Sequence, residues 1–184
     1  MPGQTTVSEL NSSMLLKRKG FIAFLHRARH TILRSHSKQE IDRHQEGDLL
    51  MLRKRSYPKP DEQRYDVSTM ELAFFEITDQ APEIKDAIWH LNYVGHALLD
   101  KKPLCDMEIG GRVRLLRRLE AFLVAAMLQN DDPTKFRGPE SYEAGNWTYL
   151  CSQHGDFAQF RGEETVFYRD KAVYRGTCLG QIRT

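Results

Sequence analysis

The sequence predicts an α+β fold made of two diverged α-β-β-β units, with antiparallel strands and two helices over one face of the sheet. Three observations lead there: a motif that recurs at constant spacing, two stretches of helical apolar period, and six strand-like runs between turn signals.

The recurring motif is AFLxxA. Ala23-Phe24-Leu25-His26-Arg27-Ala28 returns 98 residues later as Ala121-Phe122-Leu123-Val124-Ala125-Ala126. The same offset carries Glu46-Gly47-Asp48-Leu49 onto Ala144-Gly145-Asn146-Trp147, so two separated landmarks keep one register. A third block, Ile88 to Gly95, matches Val173 to Gly180 in shape at an offset of 85. The 13-residue difference (98 − 85) places extra chain in the first unit, around Tyr57 to Asp66 and Thr78 to Ile84. The expected organisation is an N-terminal extension over 1–19, a first repeat over 20–100, and a linker with second repeat over 101–184. Together these form one compact pseudo-twofold domain.

Helix one is expected from Leu15 to Leu33, where Phe21, Phe24, Leu25, Ala28 and Ile32 follow a 3.6-residue period. Helix two is expected from Arg112 to Gln129, after Gly110-Gly111 and before Asp131-Asp132-Pro133, with Leu115, Leu119, Phe122 and Met127 on its buried stripe. Strands are expected over 48–54, 70–78, 87–99, 146–152, 164–169 and 172–179, with Arg169-Asp170-Lys171 as a hairpin tip.

Composition narrows the function classes. Cys105, Cys151 and Cys178 are odd in number and far apart, with neither CxxC nor zinc spacing, so a reducing, cytoplasmic setting is expected. No apolar run is long enough to span a bilayer, and no membrane partner is expected. The acid-free segment from Leu10 to Gln39 resembles a transit peptide, but part of it recurs later as fold. Eleven basic and four acidic residues lie between Lys17 and Arg55, an excess of +7 against +2 for the whole chain. That excess would suit an anionic partner.

A further string links the chain to known proteins. Phe136-Arg137-Gly138-Pro139 is followed by Tyr142, Gly145, Trp147, Tyr149, Gly155-Asp156, Phe160, Gly162-Glu163-Glu164, Val173-Tyr174 and Gly180. In the first half, the AFLxxA helix, Glu46-Gly47-Asp48, Ile88-Trp89, Asn92-Tyr93 and Gly95 correspond. Over roughly residues 20 to 182, this resembles an uncharacterised bacterial domain family found alone or behind Cro/repressor-type helix-turn-helix domains. The likeness implies a fold and no activity. Two departures stand out: Ser68-Thr69-Met70-Glu71 replaces the glycine-rich turn in the first half, and Gln181 replaces a second terminal glycine.

Candidate chemistry follows from the doubling. Glu163, beside Glu164, and Glu71 occupy equivalent places, where two carboxylates could converge as an acid/base pair or cation site. Strand alternation sends one of Glu163 and Glu164 inward and the other outward, and Glu163 is taken as the acid/base candidate. Trp147 and Tyr149 share one sheet face, as do Trp89 and Tyr93; with Glu71, Glu163 and Tyr174 they would line a ligand pocket or else form plain core. His26 and His30 have metal-ligand spacing, but Arg27 and Arg29 would repel a cation, so no metal and no cofactor are expected. Arg27, Arg29, Arg34, Arg53, Lys54 and Arg55 could meet phosphates, without the aromatic interleaving of nucleic-acid readers.

The reading is a non-enzymatic, regulatory module binding a small molecule or protein, with a homodimer compatible. The alternatives are a nucleic-acid accessory protein acting through a basic face, and a small enzyme using Glu163.

Overall fold

The computed structural model describes residues 7–35, 40–56, 66–75, 87–156 and 158–182, with side chains in the first helix from Gly20 onward. Helix α1 spans Val7–Arg34, followed by β1 (Ile41–Glu46), β2 (Leu49–Ser56), β3 (Asp66–Phe75) and β4 (Trp89–Ala97). After a 3₁₀ turn at Leu104–Asp106 come α2 (Ile109–Leu128), β5 (Ser141–Ala144), β6 (Trp147–Gly155), β7 (Gln159–Tyr168) and β8 (Lys171–Ile182). All eight strands form one antiparallel sheet in the order β1-β2-β3-β4-β8-β7-β6-β5. Each helix is followed by a four-strand meander, and the two meanders join through their last strands, with Tyr93 opposite Cys178 and Gly95 opposite Gly176.

Each half therefore holds four strands where the sequence suggested three. The additional β1 and β5 lie at the two sheet edges, and their polar stretches IDRHQE and SYEA carry no apolar alternation. Their hairpins were marked by glycine: Gly47 and Gly145 adopt φ of 55° and 61° at the first turn position, which glycine fills without a Cβ penalty. Arg169 and Asp170, both at positive φ, make the expected β7–β8 hairpin tip. Helix α1 begins at Val7, so the boundary expected at residue 19 falls inside it. The extra chain expected near Tyr57 and Thr78 lies almost wholly outside the described residues, Asp66 being the first residue of β3.

Alternation sorts each strand into a buried and an outer row. Along β4, Trp89, Leu91, Tyr93, Gly95 and Ala97 are buried while Asn92, Val94 and His96 are exposed. The main buried cluster joins Phe24, Leu25 and Ala28 of α1 and Leu119, Phe122 and Ala126 of α2 to Met51, Trp89, Leu91, Tyr149, Val166 and Tyr174 of the sheet. A second cluster of Leu50, Leu72, Phe74 and Ala87 occupies the opposite parity of β2 and β3. The first half thus buries residues of both faces. On β6, β7 and β8 of the second half, the outer row of Leu150, Ser152, Glu163, Thr177 and Leu179 is exposed.

Candidate functional site

Charged groups sit inside this molecule, and strand parity decides which. On β7, Gly162, Glu164 and Val166 point into the core and Arg161 and Glu163 point out. Glu163, the residue proposed from the sequence as acid or base, is exposed; the buried carboxylate is its neighbour Glu164, 3% exposed. The orientation has a physical cause. The inward parity is set by Phe160 and Val166, both buried in the main cluster, and Glu164 shares it.

Of the three buried carboxylates among the described residues, Asp42 holds Arg55, and Glu71 and Glu164 anchor the interior, one from each half. Glu71 on β3 receives Arg29 Nε of α1 at 2.6 Å and faces Arg53 Nε of β2 at 3.6 Å. Burial by itself would raise the Glu71 carboxyl, but the two arginines outweigh it and hold it below the usual carboxylate range. Glu164 receives Arg137 through Nη2 at 3.1 Å and Nε at 3.3 Å, a two-pronged pairing that the planar guanidinium favours. It also accepts the Tyr149 hydroxyl at 2.9 Å and the Tyr93 hydroxyl, which in turn meets the Tyr174 hydroxyl. Burial and then the Glu164 charge push both Tyr93 and Tyr149 well above the ordinary tyrosine value. Burial opposes the charge on Arg137, yet Glu164 and the tyrosine oxygens hold its guanidinium well above its ordinary value.

Aromatic faces complete the seating. The Arg137 guanidinium lies 3.8 Å from the Tyr93 ring centre, and that of Arg29 lies 5.0 Å from Trp89 and 5.5 Å from Phe136. Glycines on the inward row make the tyrosine positions available. A Cβ at Gly95 or Gly176 would fall inside van der Waals contact of the Tyr174 or Tyr93 ring respectively.

The loop carrying Arg137 is tied down from three directions. The Asn130 side-chain amide donates to the carbonyls of Lys135 and Arg137, both at 2.8 Å. The carbonyl of Asn130 accepts Nε2 of His26 at 2.8 Å and of His30 at 3.1 Å, so both imidazoles of α1 carry their proton on Nε2. The amide of Gly138 donates to the Tyr149 hydroxyl at 3.2 Å. The paired histidines, which had metal-ligand spacing, here hold a helix end; among the described residues no three potential ligands gather.

Two small cavities open between the helices and the sheet, and they share Leu33, Arg53, Met127 and Arg137 in their walls. The first, about 20 Å³, is bounded by Arg29, Glu71, Lys135 and the histidine pair. The second, about 50 Å³, continues beside Val67, Thr69, Tyr93, Leu123, Val124 and Tyr174. Both walls mix charged and apolar side chains, the larger cavity adding Arg55 and Glu120, an arrangement able to hold a small amphipathic ligand.

The model of a family described as Domain of unknown function (DUF5680) matches residues 79–182, more than half of the chain. The chain belongs to that family. No curated protein and no solved structure matches it. The DUF5680 match includes Arg137, Tyr149, Glu164 and Tyr174, whereas Arg29, Arg53 and Glu71 lie before it. The ion cluster around Glu164 thus falls within the family match, and the one around Glu71 lies in the part of this chain outside it.

Set against the DUF5680 frame, the residues picked from sequence separate clearly. Trp89, Tyr149 and Tyr174 are 0% exposed and belong to the core, with the Tyr174 ring also touching the larger cavity. Trp147 is half-buried and stacks on Phe122 at 5.4 Å and against Tyr168 at 4.8 Å, so it packs α2 to the sheet edge. Tyr93 and Glu71 do reach the cavities, and Glu163 does not.

The basic residues form no single outer face. Arg27 pairs with Glu46 and Lys54 with Glu40 at the surface, and Arg34 is exposed. Arg29 and Arg53 are buried, and Arg55 is bound to Asp42 at 2.5 Å with its side chain 12% exposed. Arg29, Arg53 and Arg55 of that charge excess therefore point inward, while Arg27, Arg34, Arg43 and Lys54 stay on the surface.

Sequence reasoning missed Arg137, Asn130 and the true orientation of Glu164. Arg137 stood in the family-like string, between Phe136 and Gly138, and its company of small and aromatic residues was the available signal.

Proposed function

We propose that this chain is a non-enzymatic binding module that takes a small ligand into the cleft between α1, α2 and the sheet. The observation that carries this reading is the pair of adjacent cavities, sharing four wall residues, whose walls come from both halves and from both helices. The chemistry beside them favours holding over turnover. Glu71 is ionised and committed to arginine and the Tyr93 hydroxyl keeps its proton; away from the cavities the Tyr149 hydroxyl keeps its proton too, and burial pushes the Cys178 thiol up to about 11. A general base or nucleophile needs a titrating group poised near working pH; these groups are pushed away from it, and the histidine pair in the smaller cavity's wall is committed through Nε2 to the Asn130 carbonyl. A regulatory use of such a module rests on analogy with ligand-sensing domains. The test is amide chemical-shift mapping with a library of neutral, anionic and cationic fragments. Shifts concentrated at Arg29, Asn130 and Arg137 support the cleft; shifts scattered over the outer face, or none, sink it.

We further infer that the fold arose by doubling of one helix-plus-four-strand unit, with both helices on one face of the sheet. One residue correspondence maps the strand registers of the halves onto each other, which supports this reading. Arg53 opposite Glu71 becomes Cys151 opposite Glu164, Glu71 opposite Leu91 becomes Glu164 opposite Gly176, and Glu46 opposite Leu49 becomes Ala144 opposite Trp147. Glu71 and Glu164 are then the same position used twice, with different arginines. An experimental structure in which Phe24 and Phe122, with their following strands, failed to superpose would end that inference.

A further inference from the structure

The geometry points to a small carboxylic acid with a short apolar tail as the ligand of this cleft: the carboxylate on Arg29, the tail beside Leu33, Leu123, Val124 and Met127. The inference rests on the binding-module reading and adds the ligand's chemical class.

Charge sets the head group. The wall of the smaller cavity carries Arg29, Arg53, Lys135 and Arg137 against a single carboxylate, Glu71. Arg29 is the decisive residue. Its side chain is 10% exposed and its Nε is committed to Glu71, yet its Nη2 is buried with no hydrogen-bond partner among the described residues. A buried guanidinium N–H without an acceptor is costly, and an entering oxyanion supplies the missing acceptor and a charge-assisted bond together. A cationic ligand would face like charge, and a neutral amide would offer a weaker acceptor.

The second cavity selects the tail. Leu33, Val67, Leu123, Val124 and Met127 give it an apolar side, which a bare phosphate would leave unfilled, beside Arg53, Arg55, Thr69, Glu120 and Arg137. Its volume of about 50 Å³ limits the tail to a short one, since about 10–15 Å³ of such space already holds one water. Because Leu33, Arg53, Met127 and Arg137 line both cavities, head and tail can belong to one molecule.

Isothermal titration with butyrate, butyramide and butylammonium at one ionic strength tests this. Butyrate binds at least tenfold more tightly than either isostere, and Arg29→Gln lowers its affinity roughly tenfold, the size of one charge-assisted hydrogen bond. Val124→Phe, which narrows only the tail cavity, weakens butyrate and leaves acetate unchanged. Equal binding of butyrate and butyramide overturns the proposal, as does undiminished butyrate affinity in a folded Arg29→Gln protein. Should Arg29→Gln fail to fold, undiminished butyrate affinity in Val124→Phe overturns it instead. If neutral fragments shift the cleft amides while butyrate does not bind, the carboxylate assignment falls and the binding-module reading stands; if nothing reaches the cleft, both fall.

Discussion

Replacing Glu164 by glutamine tests the interior most sharply, because its exposed neighbour Glu163 supplies an internal control. Glu164 and Arg137 have side chains 2% and 5% exposed, so water cannot replace the lost charge. The substitution keeps the size but leaves the Arg137 guanidinium without a counter-charge. Its new amide group also faces two hydroxyl donors and a guanidinium, where it can itself accept through only one oxygen. Removing one partner of a buried ion pair costs about 3–5 kcal/mol. For a chain of this length each kcal/mol moves Tm by roughly 2–4 °C, so Glu164→Gln should melt about 6–20 °C below the wild type. Glu163→Gln, on the outer row, should stay within about 0.5 kcal/mol. Urea denaturation followed by far-UV circular dichroism gives both numbers. A Glu164→Gln protein as stable as the wild type, or a Glu163→Gln protein equally damaged, would refute the assignment of the inward carboxylate.

Three other outcomes can be measured alongside. Gly176→Ala puts a methyl group against the Tyr93 ring and should cost about 1–3 kcal/mol in the same urea assay, whereas Gly20→Ala, where nothing lies within 4 Å, should not. His30 is lowered by burial, then by His26 and Arg34, so its neutral form is favoured in the fold; its stability contribution is present above pH about 6.5 and fades as pH falls through its lower folded value. Urea midpoints between pH 5 and 7.5 should therefore slope upward, and His30→Gln should flatten that slope. Among the thiols, exposed Cys105 should react rapidly with a disulfide reagent at pH 8, while buried Cys178, raised to about 11, should react only on unfolding.

The helices and six of the strands were legible because burial imprints a period on sequence. Phe21, Leu25, Ala28 and Ile32 trace one helical stripe, and Trp89, Leu91 and Tyr93 one strand row. Edge strands β1 and β5 escaped because neither face of IDRHQE or SYEA is uniformly apolar; only their glycine turns betray them. The site was half legible. Period two guarantees that Glu163 and Glu164 point oppositely, but fixing which is inward requires the parity set by Phe160 and Val166. The arginines misled for a related reason. Arg29 lies within the α1 stripe beside Ala28, and Arg53 shares parity with buried Met51, so residues counted as a basic surface are interior partners of Glu71. Arg137 comes from a loop, where no period exists to place it; Asn130 and the two histidines do that in three dimensions.

The most direct test of the charged cleft is to watch the arginine side chains themselves by NMR while butyrate is added. Arg29, Arg53 and Arg137 should show slowly exchanging guanidinium protons, with the Arg29 signals moving on titration. Fast exchange with water at Arg29, or signals that stay fixed while butyrate saturates another site, would contradict it.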